Sequence, residues 1–131
     1  MSIKKMTRNR KSDEYQLQGK RERYIQPSIL MGLYGKPSYG YELIQGIQKY
    51  GFVEGQAPPG MIYRHLRQLE EDGLVRSNWE TEGAGPAKRM YELTNEGQDV
   101  LRLWVEHMER HAENLHNFIS AYHKLEKQPG Q

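Results

Sequence analysis

Cysteine is absent from this chain of 131 residues. That removes disulfides and thiolate metal sites and makes a reducing, intracellular setting the expected one. No stretch approaches the roughly 18 consecutive apolar residues of a membrane helix, and no apolar run follows the leading charges as a signal peptide would require. A soluble, cytoplasmic chain is expected. No glycine-rich loop opens a helix after a strand, so no nucleotide cradle is indicated. A Ser/His/carboxylate set is not identifiable by spacing, which leaves nucleophilic catalysis without a centre. Neither an enzyme nor a bound cofactor is expected. Apolar residues make up only 36% of the chain, so the core must be modest and burial against a second subunit is an economical source of stability.

Charge is nearly balanced overall but unevenly spread. Residues 1–23 hold eight basic against three acidic side chains, residues 24–93 seven against eight, and residues 94–131 four against six. The leading segment therefore reads as a basic arm, partly disordered, that can follow a phosphate backbone with salt-dependent affinity.

The segment GMIYRHLRQLEEDGLV, residues 60–75, has the strongest pattern. Ile62, Leu66, Leu69 and Leu74 form an apolar stripe at helical spacing with Tyr63 beside it. Arg64, His65, Arg67 and Gln68 stand on the other side, and Glu70, Glu71 and Asp72 follow at the C-terminal end. This polarity opposes the helix dipole, so helix stability alone does not account for it. Pro58 and Pro59 suit a first turn and Gly73 suits the left-handed cap.

Two shorter helices precede it. One covers Tyr24 to Tyr34, with Ile25, Ile29, Leu30 and Leu33 inward. The other starts at a Ser38 cap and runs to about Tyr50, ended by Gly51. After Gly73, LVRSNWE and KRMYELT alternate as two strands around the turn-rich TEGAGPA. Three helices and a two-stranded ribbon form the order of a winged helix-turn-helix. Thr94 is a good N-cap for a last helix carrying Leu101, Val105, Met108, Ala112, Leu115, Ile119 and Tyr122 at alternating spacings of four and three. Trp104, Phe118 and Leu125 widen that stripe. So small a domain cannot cover it, which argues for a homodimer. The expected fold is mainly α with a small β-hairpin wing. Its divisions are an arm at 1–23, the winged domain at 24–93, a dimerisation helix at 94–127 and a tail at 128–131. His107 and His111 are four apart, but with no third ligand evident they read as solvated histidines and no metal site is expected.

SYGYEL at 38–43, GMIYRHLRQLEEDGLV at 60–75 and AKRMYELTNEG at 87–97 resemble the motifs of the PadR family of bacterial transcriptional regulators. The likeness covers about residues 24–123. It departs at Met61, where the family usually has a small hydroxyl residue, and at the paired prolines. The resemblance implies a homodimer on a palindromic double-stranded operator, usually repressing. Its DNA contacts would come from the third helix, through Tyr63, Arg64, His65 and Arg67, and from the wing, through Lys88 and Arg89. Tyr39 is added as a phosphate contact, while Tyr91 and Leu93 are assigned to the core. One branch of the family holds flat aromatic compounds between tryptophans at the dimer interface, which makes Trp104 and Met108 a candidate effector pocket. The competing class is a winged helix that binds protein rather than DNA.

Overall fold

The computed structural model describes residues 23–128 apart from positions 54, 56, 82 and 84. The basic arm, Arg23 excepted, lies outside the described residues. The elements in order are α1 (Ile25–Gly35), β1 (Ser38–Tyr39), α2 (Gly40–Gly46), a 3-10 turn (Ile47–Tyr50), α3 (Pro59–Glu71), β2 (Val75–Glu80), β3 (Lys88–Leu93) and α4 (Asn95–Glu126).

Each of the first three helices buries one stripe. Ile25, Ile29, Leu30 and Leu33 of α1 meet Leu43, Ile44 and Ile47 from α2 and its turn, and Ile62, Leu66 and Leu69 of α3. Those three residues of α3 have no exposed surface. Burying each contributes roughly 1.5–3 kcal/mol, which fixes α3 in rotation and leaves Tyr63, Arg64 and Arg67 facing out. Pro27 falls in the first turn of α1, where no intrahelical N–H partner is required. Pro58 serves as the N-cap residue of α3 and Pro59 opens its first turn.

The end of α3 is a Schellman turn. The Leu74 N–H donates to the Leu69 carbonyl at 2.9 Å and the Gly73 N–H to the Glu70 carbonyl at 3.1 Å, with Gly73 at φ 77°. Leu74 is thus the residue after the cap rather than a member of the helix, and it packs on the core from there. Val75 follows at once as the first residue of the wing.

The sheet has three antiparallel strands in the order β1-β3-β2. Val75 pairs with Leu93 and Glu80 with Lys88 across the ribbon, while Ser38 pairs with Tyr91 and Tyr39 with Met90. The short β1 adds a third strand to the expected pair. Pro37 pushes Lys36 into an extended conformation, at φ −170° and ψ 156°, which delivers Ser38 to the edge of β3. Ser38 is therefore a buried strand residue whose hydroxyl donates to the Lys36 carbonyl at 3.2 Å, not the helix cap expected of it. Glu42 does the capping instead, its carboxylate accepting the Tyr39 N–H at 2.9 Å.

Thr94 caps α4 as expected, its hydroxyl accepting the Gly97 N–H at 3.0 Å. That hydroxyl also donates to the Gly73 carbonyl at 2.7 Å, which ties the start of α4 to the end of α3. A Cβ at Gly97 would run into the backbone carbonyl of Leu74. Only Leu101 and Gly97 of the 32-residue α4 are buried. Trp104, Met108, Val100 and His107 are half-buried, and every described residue from 109 onward is exposed. At 1.5 Å per residue, residues 109–126 carry the helix roughly 27 Å past its domain.

Candidate nucleic-acid interface

The start of α2, the exposed face of α3 and the wing meet around one cleft of about 410 Å³. Its lining includes Tyr39, Tyr41, Tyr63, Trp79, Lys88 and Arg89. Gly40 makes the first of these contacts possible. A Cβ there would stand 2.5 Å from the Tyr63 ring, so only glycine lets the helices approach with that tyrosine between them.

Tyr63 keeps its ring on Gly40 while remaining exposed. Arg64 and Arg67 continue the same solvent face of α3. His65 does not belong with them. It is half-buried, with its Nδ1 3.2 Å from Gln26 Nε2, and so stands at the seam between α1 and α3.

At the α2 end, the Tyr39 and Tyr41 rings stack with centroids 5.5 Å apart. Lys88 Nζ lies 5.6 Å from the first centroid and 5.9 Å from the second, within the range of cation–π attraction. The Tyr39 hydroxyl donates to Glu80 Oε2 at 2.6 Å. That bond holds the Tyr39 pKa up at about 12 and ties the α2 end of the cleft to the end of β2. Burial pushes the Tyr91 phenol up as well, in keeping with its expected core position.

Arg89 differs from its neighbour. Its Nε donates to Ser77 Oγ at 2.7 Å, and its terminal nitrogen reaches the two Glu70 carboxylate oxygens at 3.2 and 3.4 Å. The guanidinium also lies 5.6 Å from the Trp79 centroid and 5.7 Å from that of Tyr91. Expected as a backbone contact, it is exposed in the cleft and at the same time paired with Ser77 and with Glu70 of α3.

Sequence reasoning passed over Trp79, which is 63% exposed in this cleft. Its place in an alternating strand gave no sign that its outward face would meet the helix tip. Glu70 and Ser77 were missed for the same reason, since their pairing depends on how the ribbon folds back on α3.

The candidate effector residues part company. Trp104 borders an open cleft of about 320 Å³ with Arg23, Val100, Leu103 and His107, and its ring meets Tyr24 edge-on at 6.1 Å. Met108 lines a separate apolar cavity of about 60 Å³ with Pro27, Met31, Phe52 and Leu101. The two side chains thus line different clefts. His107 and His111 stack at 6.3 Å, and among the described residues no group of three ligating side chains is assembled.

Of the proposed dimer residues, Leu101 belongs to the domain core. Ala112, Leu115, Phe118, Ile119 and Tyr122 are exposed. No described helix is long and apolar enough to cross a membrane.

Helix, helix, helix and wing, with the third helix bared beside the ribbon, define a winged helix-turn-helix. The model of the transcriptional regulator PadR-like family matches residues 29–103, and the chain belongs to that family. No curated protein matches it. Among solved structures, a PadR family transcription regulator from Clostridium difficile R20291 is similar at a TM-score of 0.64 and 28% identity, covering 73% of this chain and 98% of that one. A PadR family regulator from Eggerthella lenta shares the fold at a TM-score of 0.70 and 23% identity, covering 83% and 93%. Bacillus subtilis PadR, solved in complex with operator DNA, is similar at a TM-score of 0.56 and 25% identity, covering 63% of this chain and 47% of that one.

Proposed function

We propose that this chain is a sequence-specific DNA-binding transcriptional regulator, not an enzyme, acting in the cytoplasm as a homodimer on a palindromic operator, in the repressing sense. The observation that carries the reading is the cleft shared by Tyr63 of α3, Lys88 of the wing and Tyr39 at the start of α2, with Arg64 and Arg67 exposed on the same helix as Tyr63. The three α3 side chains suit base edges and nearby phosphates in a major groove. Lys88 and the Tyr39–Tyr41 pair suit the flanking backbone, where they position the protein without reading sequence. Trp79 adds an apolar surface against which a deoxyribose can pack. The complex of Bacillus subtilis PadR with operator DNA supports the same partner for this chain.

The chain divides into a winged domain up to Leu93 and a dimerisation helix from Thr94, whose first turns still pack on that domain through Gly97 and Leu101. Leu115, Phe118, Ile119 and Tyr122 keep half or more of their surface open on a helix that has left its domain. A second copy related by two-fold symmetry covers that stripe and spaces two α3 helices for successive major grooves, roughly 34 Å apart. A small effector then releases the operator by changing that separation. The Trp104 cleft, open in one chain, is the candidate seat for such a compound.

Enrichment of duplexes from a randomised pool by the purified chain tests the reading. A palindromic consensus with two half-sites one helical turn apart is expected. Enrichment of no sequence, with retention of a protein partner instead, would turn the assignment toward an interaction module.

A further inference from the structure

Glu70 occupies the last turn of α3, where the helix dipole disfavours an anion and where a negative charge beside a DNA-binding face repels phosphate. Its carboxylate accepts from Ser77 Oγ of β2 at 2.7 Å and from the Arg89 guanidinium of β3. Arg89 in turn donates through Nε to the same Ser77 oxygen at 2.7 Å, so three side chains from three elements close a hydrogen-bonded triangle. The planar face of Arg89 is occupied too, by Trp79, its cross-strand partner, and by Tyr91. Lys88, one residue away, has only rings beneath it among the contacts described.

We infer that Glu70, Ser77 and Arg89 form a brace that sets the angle of the wing on α3, making Glu70 and Arg89 positioning residues for DNA recognition, with Lys88 as the phosphate contact of the pair. This rests on the DNA-binding reading above. The ribbon leaves α3 through a tight turn at Gly73 and is held elsewhere by its pairing with β1 and by the Tyr39–Glu80 bond; the Glu70–Ser77–Arg89 triangle is the polar tie that runs from the ribbon to α3 itself. Without it the wing shifts on α3, and the backbone and groove contacts lose their common register. An arginine is required at this position, since its fork engages carboxylate and hydroxyl together while its plane stacks on rings; lysine offers one point charge.

The brace and simple electrostatics predict opposite signs. Removing Glu70 takes a negative charge away from the DNA face, so electrostatics alone tightens binding, whereas loss of the brace weakens it. The test uses a duplex enriched by the wild-type chain and an unrelated duplex of equal length, both followed by fluorescence anisotropy over a salt series. Glu70→Ala is expected to bind the enriched duplex about tenfold more weakly, in the range of couplings within one polar network, with no loss on the unrelated duplex. Arg89→Lys is expected to fall as far as Arg89→Ala, and Arg89→Ala to keep the wild-type salt slope.

A readout without DNA accompanies these. In a Trp104→Phe background Trp79 is the sole tryptophan, and adding Glu70→Ala should lower its emission anisotropy and raise its quenching by acrylamide. Glu70→Gln, which keeps shape and loses charge, guards against a folding defect. Tighter or unchanged binding of the enriched duplex by Glu70→Ala overturns the brace. So does wild-type binding by Arg89→Lys with a salt slope reduced by about one in Arg89→Ala, or an unchanged Trp79 signal. A wild-type chain that enriches no duplex overturns the underlying reading, and the Trp79 measurement then still decides whether the brace exists.

Discussion

Replacing Leu115 and Ile119 by alanine should dissociate the protein without unfolding its domain. The two side chains are 50% and 52% exposed in the single chain, so about half of each remains to be buried by a partner. Full burial of such a side chain is worth roughly 1.5–3 kcal/mol, and half of that is about 1 kcal/mol for each residue. In a two-fold dimer each substitution occurs twice, giving about 2 kcal/mol for either one and about 4 kcal/mol for both. The double variant is therefore expected to raise the dimer dissociation constant by about a thousandfold. Sedimentation equilibrium across a concentration series measures this. The domain itself should hold, because neither residue belongs to the cluster formed by α1, α2 and α3. Circular dichroism should show the winged domain intact, with some fraying beyond residue 109. A dissociation constant unchanged by the double substitution would refute the assignment of this face. Loss of the winged domain would show that the stripe folds back on its own chain.

Gly40→Ala forces a methyl into the Tyr63 ring and should cost about 1–3 kcal/mol in thermal or urea unfolding, most of it recovered by adding Tyr63→Ala. Gly97→Ala meets the backbone carbonyl of Leu74 rather than a side chain that can rotate, so it should reach at least the upper end of that range, with no second-site side-chain change restoring stability. Glu80→Gln should bring the ionisation of Tyr39 down from about 12 toward the usual tyrosine value of about 10, visible as one phenol moving in an ultraviolet titration. Since folding favours the protonated phenol, its contribution is whole below about pH 10 and is lost as pH climbs toward 12. Lys88→Ala should weaken binding of all duplexes alike and reduce the salt slope by about 0.9, one phosphate's worth, whereas Arg67→Ala should also relax the preferred sequence.

The winged helix was legible in the sequence because its elements depend on local signals. The stripe of Ile62, Leu66 and Leu69, the cap at Thr94 and the left-handed Gly73 each settle a boundary within a few residues of themselves. The third strand was not legible, since Ser38 and Tyr39 are too short a run to alternate and pair only because Pro37 extends the chain beside β3. The site was read in part for the same reason. Arg64 and Arg67 follow from helical period once the buried face is known. By contrast, the burial of His65 against Gln26, the capture of Arg89 by Glu70 and the exposure of Trp79 depend on contacts as many as 39 positions apart. The acidic end of α3 is the instructive case. Its polarity is visible as an anomaly in the sequence, and the structure gives at least Glu70 a partner that accounts for it.

The central claim is that the α3 face and the wing bind DNA together. The most direct measurement is the affinity of the chain for its enriched duplex as a function of salt, for wild type and for the triple variant Arg64→Ala, Arg67→Ala, Lys88→Ala. The wild type should show a steep linear fall of log affinity with log salt, with a slope of about −0.9 for each phosphate contacted. The triple variant should lose most of its affinity and much of that slope while remaining dimeric. Equal affinity and equal slope in the two proteins would contradict the account.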